Sequence, residues 1–193
     1  MKAGSVSLET RRRLSRDAFA HTARYDSLIA TFLSSQWEEG FPPSLNQSYT
    51  KVQDLRYGEN PHQSAALYRE NQPLHTDIIL AEQLQGKELS FNNFIDLNAA
   101  WELVREMDSG AVVIIKHTNP CGVALGDDQL KTFILAREVD PTSAFGGILG
   151  FNQPVTVKTA EEILKNFVEA VVAPGFDPEA IKLFSAKKNI RLM

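Results

Sequence analysis

The 193-residue chain has a single cysteine, Cys121, which excludes an intrachain disulfide framework and a four-cysteine zinc site. No apolar run approaches the roughly 20 residues of a membrane-spanning helix. No apolar segment near the start reads as a secretory leader. No Gly-x-Gly-x-x-Gly follows a strand pattern and no P-loop is present, which disfavours dinucleotide and P-loop nucleoside-triphosphate chemistry. Neither internal repeat nor low-complexity tract occurs. The remainder is ordinary for a globular protein: 43% hydrophobic and 23% charged residues. A chain of this length can bury its own core without a staple.

The net charge of −4 is unevenly spread. Residues 1–24 hold six basic and two acidic side chains, net +4, leaving −8 on the rest. The acidic remainder disfavours a nucleic-acid surface. The basic segment reads as one amphipathic helix, capped at Ser7 and ending near Ser34-Ser35. Leu8, Ala18, Phe19, Tyr25, Ile29 and Phe32 recur mostly three or four apart. Arg11, Arg12, Arg13, Arg16 and Arg24 then read as a solvated face or as a basic patch for a phosphorylated ligand or nucleic acid, the solvated face being the commoner case. Glu9 and Asp17 argue against a mitochondrial transit peptide. The apolar face wants a partner. Gly40 and Pro42-Pro43 mark a linker over 36–48.

From residue 49 the pattern is α/β. Strands are expected at 64–68, 111–115, 147–151, 169–173 and 189–193. Helices are expected at 94–107, 130–139, 159–167 and from Asp177-Pro178 to about Ala186. Ala111-Val-Val-Ile-Ile115 is a strand buried on both faces.

Three stretches carry candidate chemistry. The buried strand runs into Lys116-His117, followed by an expected Asn119-Pro120 turn and Gly122. Ligands of open α/β sheets bind beyond the carboxyl ends of strands. A lysine there can hold a developing oxyanion, and a histidine can take a proton. Asp54 to Gln63 is a turn-rich loop in which Arg56 offers a planar fork for phosphate and Tyr57 a ring and hydroxyl. In Asp140 to Gly147, Gly146 allows close backbone approach and Phe145 can pack on a base. Each stretch, taken alone, also reads as an ordinary loop or strand end.

Cys121 could be a nucleophile with His21, His62, His75 or His117 as base, but a small thiol enclosed in a tight turn is the commoner situation. Pro120-Cys121 echoes the zinc deaminases, whose pattern requires Pro-Cys-x-x-Cys and His-x-Glu. Ala124 and Asn119 stand where the second Cys and the Glu would be, so no metal site is expected.

Together, Arg56-Tyr-Gly-Glu-Asn-Pro-His-Gln63, Leu89-Ser-Phe-Asn-Asn93, Lys116-His-Thr-Asn-Pro-Cys-Gly122 and Ser143-Ala-Phe-Gly-Gly147 occur in this order. The chain thereby resembles the bifunctional purine-biosynthesis family with IMP cyclohydrolase and aminoimidazole carboxamide ribonucleotide (AICAR) transformylase activities. The resemblance implies that 1–35 is the closing helix of the cyclohydrolase domain, 36–48 a linker, and 49–193 the first, cytidine deaminase-like lobe of the transformylase domain. It implies formyl transfer from 10-formyltetrahydrofolate to AICAR, without a metal. His117 would be the proton acceptor and Lys116 the oxyanion stabiliser. Arg56 and Tyr57 would hold the nucleotide, with Asn119, Phe145 and Gly146 also lining its site. It implies small-molecule partners, a ribonucleotide and a folate, with no nucleic acid and no membrane. A cytoplasmic homodimer is expected of the complete protein, of which this chain would be part. The alternative reading is a non-catalytic nucleotide-binding or interaction module.

Overall fold

The computed structural model describes residues 5–37, 40–71 and 77–193. Lys2, Glu38, Glu39 and His75 lie outside the described residues, so the linker is described only in part. By its contacts the chain divides into two compact units, Met1–Lys51 with Tyr68–Gln72, and Val52–Leu67 with Pro73–Met193.

The first unit is dominated by α1 (Leu8–Trp37), 30 residues with none buried. Ser7 caps it as expected, its hydroxyl accepting the Thr10 amide at 3.1 Å. The helix continues past Ser34-Ser35. Ser35 Oγ donates back to the Phe32 carbonyl at 2.7 Å, a bond a helical serine makes without ending the helix. Arg13 and Arg16 pair with Asp17 in full solvent, and such pairs contribute little. The apolar face is exposed, with Phe19 at 74% and Phe32 at 61%.

β1 (Tyr49–Leu55) and β2 (Ala65–Glu70) pair as a two-stranded ladder. β1 was not among the expected strands, because alternating polar residues in Tyr-Thr-Lys-Val-Gln-Asp-Leu leave it little apolar signal.

The second unit is built on a five-stranded mixed sheet. Its order is β4 (Asn119–Leu125), β3 (Ala111–Lys116), β5 (Ile148–Phe151), β6 (Ala170–Val172) and β7 (Arg191–Leu192). β3 runs antiparallel to both neighbours, whereas β5, β6 and β7 run parallel. Ala111 to Ile115 are all buried, as their continuous apolar character requires. Side chains alternate across a strand, so Val113 and Ile115 meet α2 (Phe91–Arg105) through Leu97, Ala100 and Val104. Val112 and Ile114 join the opposite layer, formed by α3 (Gln129–Val139), α4 (Pro141–Ala144), α5 (Val157–Ile163) and α6 (Pro178–Phe184). Phe133, Ala160, Ile163 and Phe184 fill that layer. The helix expected at 159–167 is thus shorter and begins earlier, behind the Thr156 cap.

The expected Asn119-Pro120 turn is corrected: Asn119 to Leu125 form β4. Pro120 and Gly122 read as breakers, but an edge strand tolerates a proline, and the register shifts at Ile114/Ile115 beside Pro120. Gly122 is required by packing, since a Cβ there would fall 1.9 Å from the Ala136 carbonyl oxygen of α3.

Candidate functional site

β3 delivers Lys116 to the end of the sheet, and the chain reverses at once through His117 and Thr118. Lys116 pairs with Asn119, so the turn has two residues, both left-handed, with φ of 51° and 63°. That is the hairpin geometry matched to strand twist, usually served by Asn-Gly. A β-branched threonine in this region is a genuine outlier, at a cost of about 1–3 kcal/mol. Three hydrogen bonds hold the turn. The Thr118 amide donates to Asp96 Oδ1 of α2 at 2.7 Å. Asn119 Nδ2 and the Thr118 hydroxyl both donate to the His117 carbonyl, at 2.8 and 2.7 Å. His117 itself is exposed.

Lys116 Nζ donates to the Phe145 carbonyl at 2.8 Å, joining the strand end to the Ser143–Gly147 loop. Asp140 shapes that loop by capping α4. Its carboxylate accepts the Ser143 amide at 3.0 Å and the Ser143 hydroxyl at 2.6 Å, with Pro141 at the first helical turn. The Ser143 hydroxyl, then its amide, hold the Asp140 carboxyl below the usual aspartate range, and Lys116 adds to this. Gly146 has φ of 73° and donates its amide to the Phe167 carbonyl at 2.9 Å. Phe145, 61% exposed, lays its ring 5.4 Å from that of Phe167.

The Arg56 loop is fastened to the start of α2. The Arg56 amide donates to Leu89, the Phe91 amide to the Tyr57 carbonyl, both at 3.2 Å, and Asn92 Nδ2 to Glu59 at 3.1 Å. Internally, the Gly58 and Gln63 backbone groups and the Gln63 side chain close the Asn60-Pro61 turn. The Arg56 guanidinium lies 5.4 Å from the Tyr57 ring centre.

Arg56 opens onto a cavity of about 630 Å³ whose other charged walls are Lys87, Glu169, Lys187, Lys188 and Arg191, with Phe167 among its apolar ones. Five cations against one carboxylate make it a basic pocket. Arg191 is 7% exposed, stands 3.5 Å from Glu169, and keeps a buried Nε–H with no partner. Lys187 Nζ is fixed by the Leu164 and Asn166 carbonyls. Of the residues expected in the site, Lys116, Phe145 and Gly146 are directly connected, and Phe167 links them to the cavity that holds Arg56. Tyr57, His117 and Asn119 do not line that cavity. Lys87, Lys187, Lys188, Arg191 and Asp96 were not foreseen. The Lys187-Lys188 pair after a helix was the one local signal for them.

Cys121 sits on β4 rather than in a tight turn. Its thiol donates to the Ile114 carbonyl at 3.5 Å. Burial pushes its pKa up, with Asp140 adding to the rise and Lys116 opposing it, which is the reverse of an activated nucleophile. Among the described residues no three His, Cys, Asp or Glu side chains gather as a metal site. None of the described helices is long and apolar enough to cross a membrane.

A mixed sheet with a lysine-histidine pair at a strand end, beside a basic pocket, defines a candidate site for an anionic small molecule. The family model described as AICARFT/IMPCHase bienzyme matches residues 1–193, and the chain belongs to that family. It is 48% identical over 200 residues to the bifunctional purine biosynthesis protein PurH of Neisseria meningitidis serogroup C, and 50% identical over 200 residues to that of a Neisseria gonorrhoeae strain. Each match covers 98% of this chain and 38% of the relative. The chain therefore spans well under half the length of the curated relatives it matches.

Proposed function

We propose that this chain supplies the front lobe of a transformylase site that moves a formyl group from 10-formyltetrahydrofolate to AICAR, within a protein that also carries IMP cyclohydrolase activity. Residues 1–35 then close the cyclohydrolase domain, 36–48 link, and 49–193 form a cytidine deaminase-like lobe. The partners are a ribonucleotide and a folate rather than nucleic acid or a membrane. The complete protein is a cytoplasmic homodimer. The observation that carries the reading is the hydrogen bond from Lys116 to the Phe145 carbonyl, which makes one unit of two motifs 29 residues apart in the chain.

The chemistry follows from the acceptor. Its amine is a poor nucleophile, with a lone pair delocalised into ring and carboxamide, so it must lose a proton as it attacks. His117, exposed at the turn, is the proton acceptor. The folate is a substrate that brings the formyl carbon. Attack places negative charge on the formyl oxygen, and collapse of that adduct breaks the bond from the formyl carbon to the folate nitrogen, which takes the proton and leaves as tetrahydrofolate. Lys116 has three N–H donors and uses one on Phe145, leaving two for that charge. Arg56 meets the ribonucleotide phosphate with its planar fork, backed by the cations of the basic pocket. Phe145 and Gly146 line the base site, with Tyr57 and Asn119 completing it.

The test is His117→Ala in the intact protein. The expected result is a fall in kcat of about 10²–10⁴-fold, the range for a lost general base. Turnover at the parent rate refutes the role. For the alternative, a non-catalytic nucleotide-binding module, calorimetric titration of the 193-residue chain with AICAR should show binding, and formyl transfer by the isolated chain refutes it.

A further inference from the structure

We infer that Asp96 is a positioning residue for the reaction, holding the strained His117-Thr118 turn through the Thr118 amide. This rests on the transformylase reading above. Asp96 lies well inside α2, where an aspartate is a weak helix former. It has no capping duty, because Ser90 and Asn93 already form a reciprocal capping box at the N-terminus of that helix. Its carboxylate instead reaches another element and accepts the Thr118 N–H at 2.7 Å, the short distance of a charge-assisted bond.

The turn needs such a hold. Both central residues have positive φ and neither is glycine. The other two bonds, from Asn119 Nδ2 and the Thr118 hydroxyl, are made within the hairpin and would move with it. Among the described residues, only the bond from Asp96 ties the turn to a helix packed on the sheet. Releasing it lets the turn relax toward a less strained conformation and swings His117 away from its place beside Lys116. Asp96 touches no reacting atom on this view and acts through the backbone.

Asp96→Ala and Asp96→Asn in the intact protein test the inference, with Thr118→Gly as a third change. Asp96→Ala is expected to lower kcat by about 10–100-fold, the scale of an ångström-sized misplacement. KM for AICAR should stay within about twofold, because Arg56 and the basic pocket are untouched. Asp96→Asn keeps an oxygen that can accept the same bond and should retain most of the activity. Thr118→Gly placed in Asp96→Ala should recover much of kcat, since glycine takes positive φ without strain. A role confined to fold stability predicts unchanged kcat per folded molecule in Asp96→Ala, with only the unfolding midpoint lowered. Hydrogen exchange at the Thr118 amide gives a readout independent of turnover, expected to quicken in Asp96→Ala and not in Asp96→Asn. Unchanged exchange and unchanged kcat in Asp96→Ala overturn the inference, as does a loss that Thr118→Gly leaves unrelieved. If His117→Ala turns over normally, the reading of the reaction fails, while Thr118 exchange still decides whether Asp96 holds the turn.

Discussion

The Lys116 ammonium donates to the Phe145 carbonyl at 2.8 Å, which ties the end of β3 to the loop after α4. A lysine at a strand end would otherwise sample many rotamers. Here one of its three donors is committed to that carbonyl. Lys116→Met keeps the length and removes both charge and anchor. The expected result is a fall in kcat of about 10²–10³-fold, the cost of a lost oxyanion donor, with KM for AICAR changed much less. Steady-state assay of tetrahydrofolate release checks it.

Arg56 is the pocket cation best shaped for phosphate, and its loop is fixed by α2. Arg56→Ala should weaken AICAR more than the dephosphorylated nucleoside. The preference of the parent chain for the phosphorylated form should shrink by at least about tenfold, consistent with loss of one charge-assisted bond of about 1.5–3 kcal/mol. Calorimetry with both ligands is the measurement. An equal loss for both would mean that Arg56 does not meet the phosphate.

The glycine at 122 is a packing requirement. A methyl group there meets the backbone of Ala136, which cannot swing aside like a side chain. Gly122→Ala should destabilise the fold by about 1–3 kcal/mol, the usual cost of overpacking. Urea unfolding should show a lower midpoint at unchanged slope.

Glu162 joins α5 to α3 by accepting Arg137 Nη1 at 2.8 Å, and also takes Lys165 Nζ at 2.7 Å. Lys165 first, and Arg137 second, hold its carboxyl below the ordinary glutamate range. A carboxyl depressed in the folded state stabilises above its unfolded pKa, about 4.3, and loses that contribution as pH falls through the folded value. The parent should therefore exceed Glu162→Gln in stability at pH 7. The gap should close as the pH drops below 4. Urea midpoints of the two proteins across pH 3–7 check it. A gap that persists at pH 3 would contradict the assignment.

What could be read from the sequence depended on how local each signal was. β3 was legible because five consecutive apolar residues have one economical home, the middle of a sheet. α1 was legible from its period and from Ser7, though not its end, because serines near a helix terminus do not force a stop. β4 was hidden by Pro120 and Gly122, whose ordinary meaning is reversed at a sheet edge and against a close helix. The turn was therefore expected two residues too late. The Lys116-His117 pair was visible because it follows a strong strand. The basic pocket was not, because its walls come from Arg56, Lys87, Phe167, Glu169 and residues 186–191, which only the folded chain assembles. Asp96 was silent for the same reason: its partner is 22 residues away.

One consequence follows from α2. Its entry, Leu89 to Asn92, fastens the Arg56 loop, and Asp96, little more than a turn further on, fastens the His117 turn. Both attachments lie on one rigid rod rather than on separately mobile loops. The span between the Arg56 loop and the His117 turn is thereby a fixed gauge. Under the proposed function, with Arg56 on the phosphate and His117 taking the proton, that gauge would select a ribonucleotide of one length.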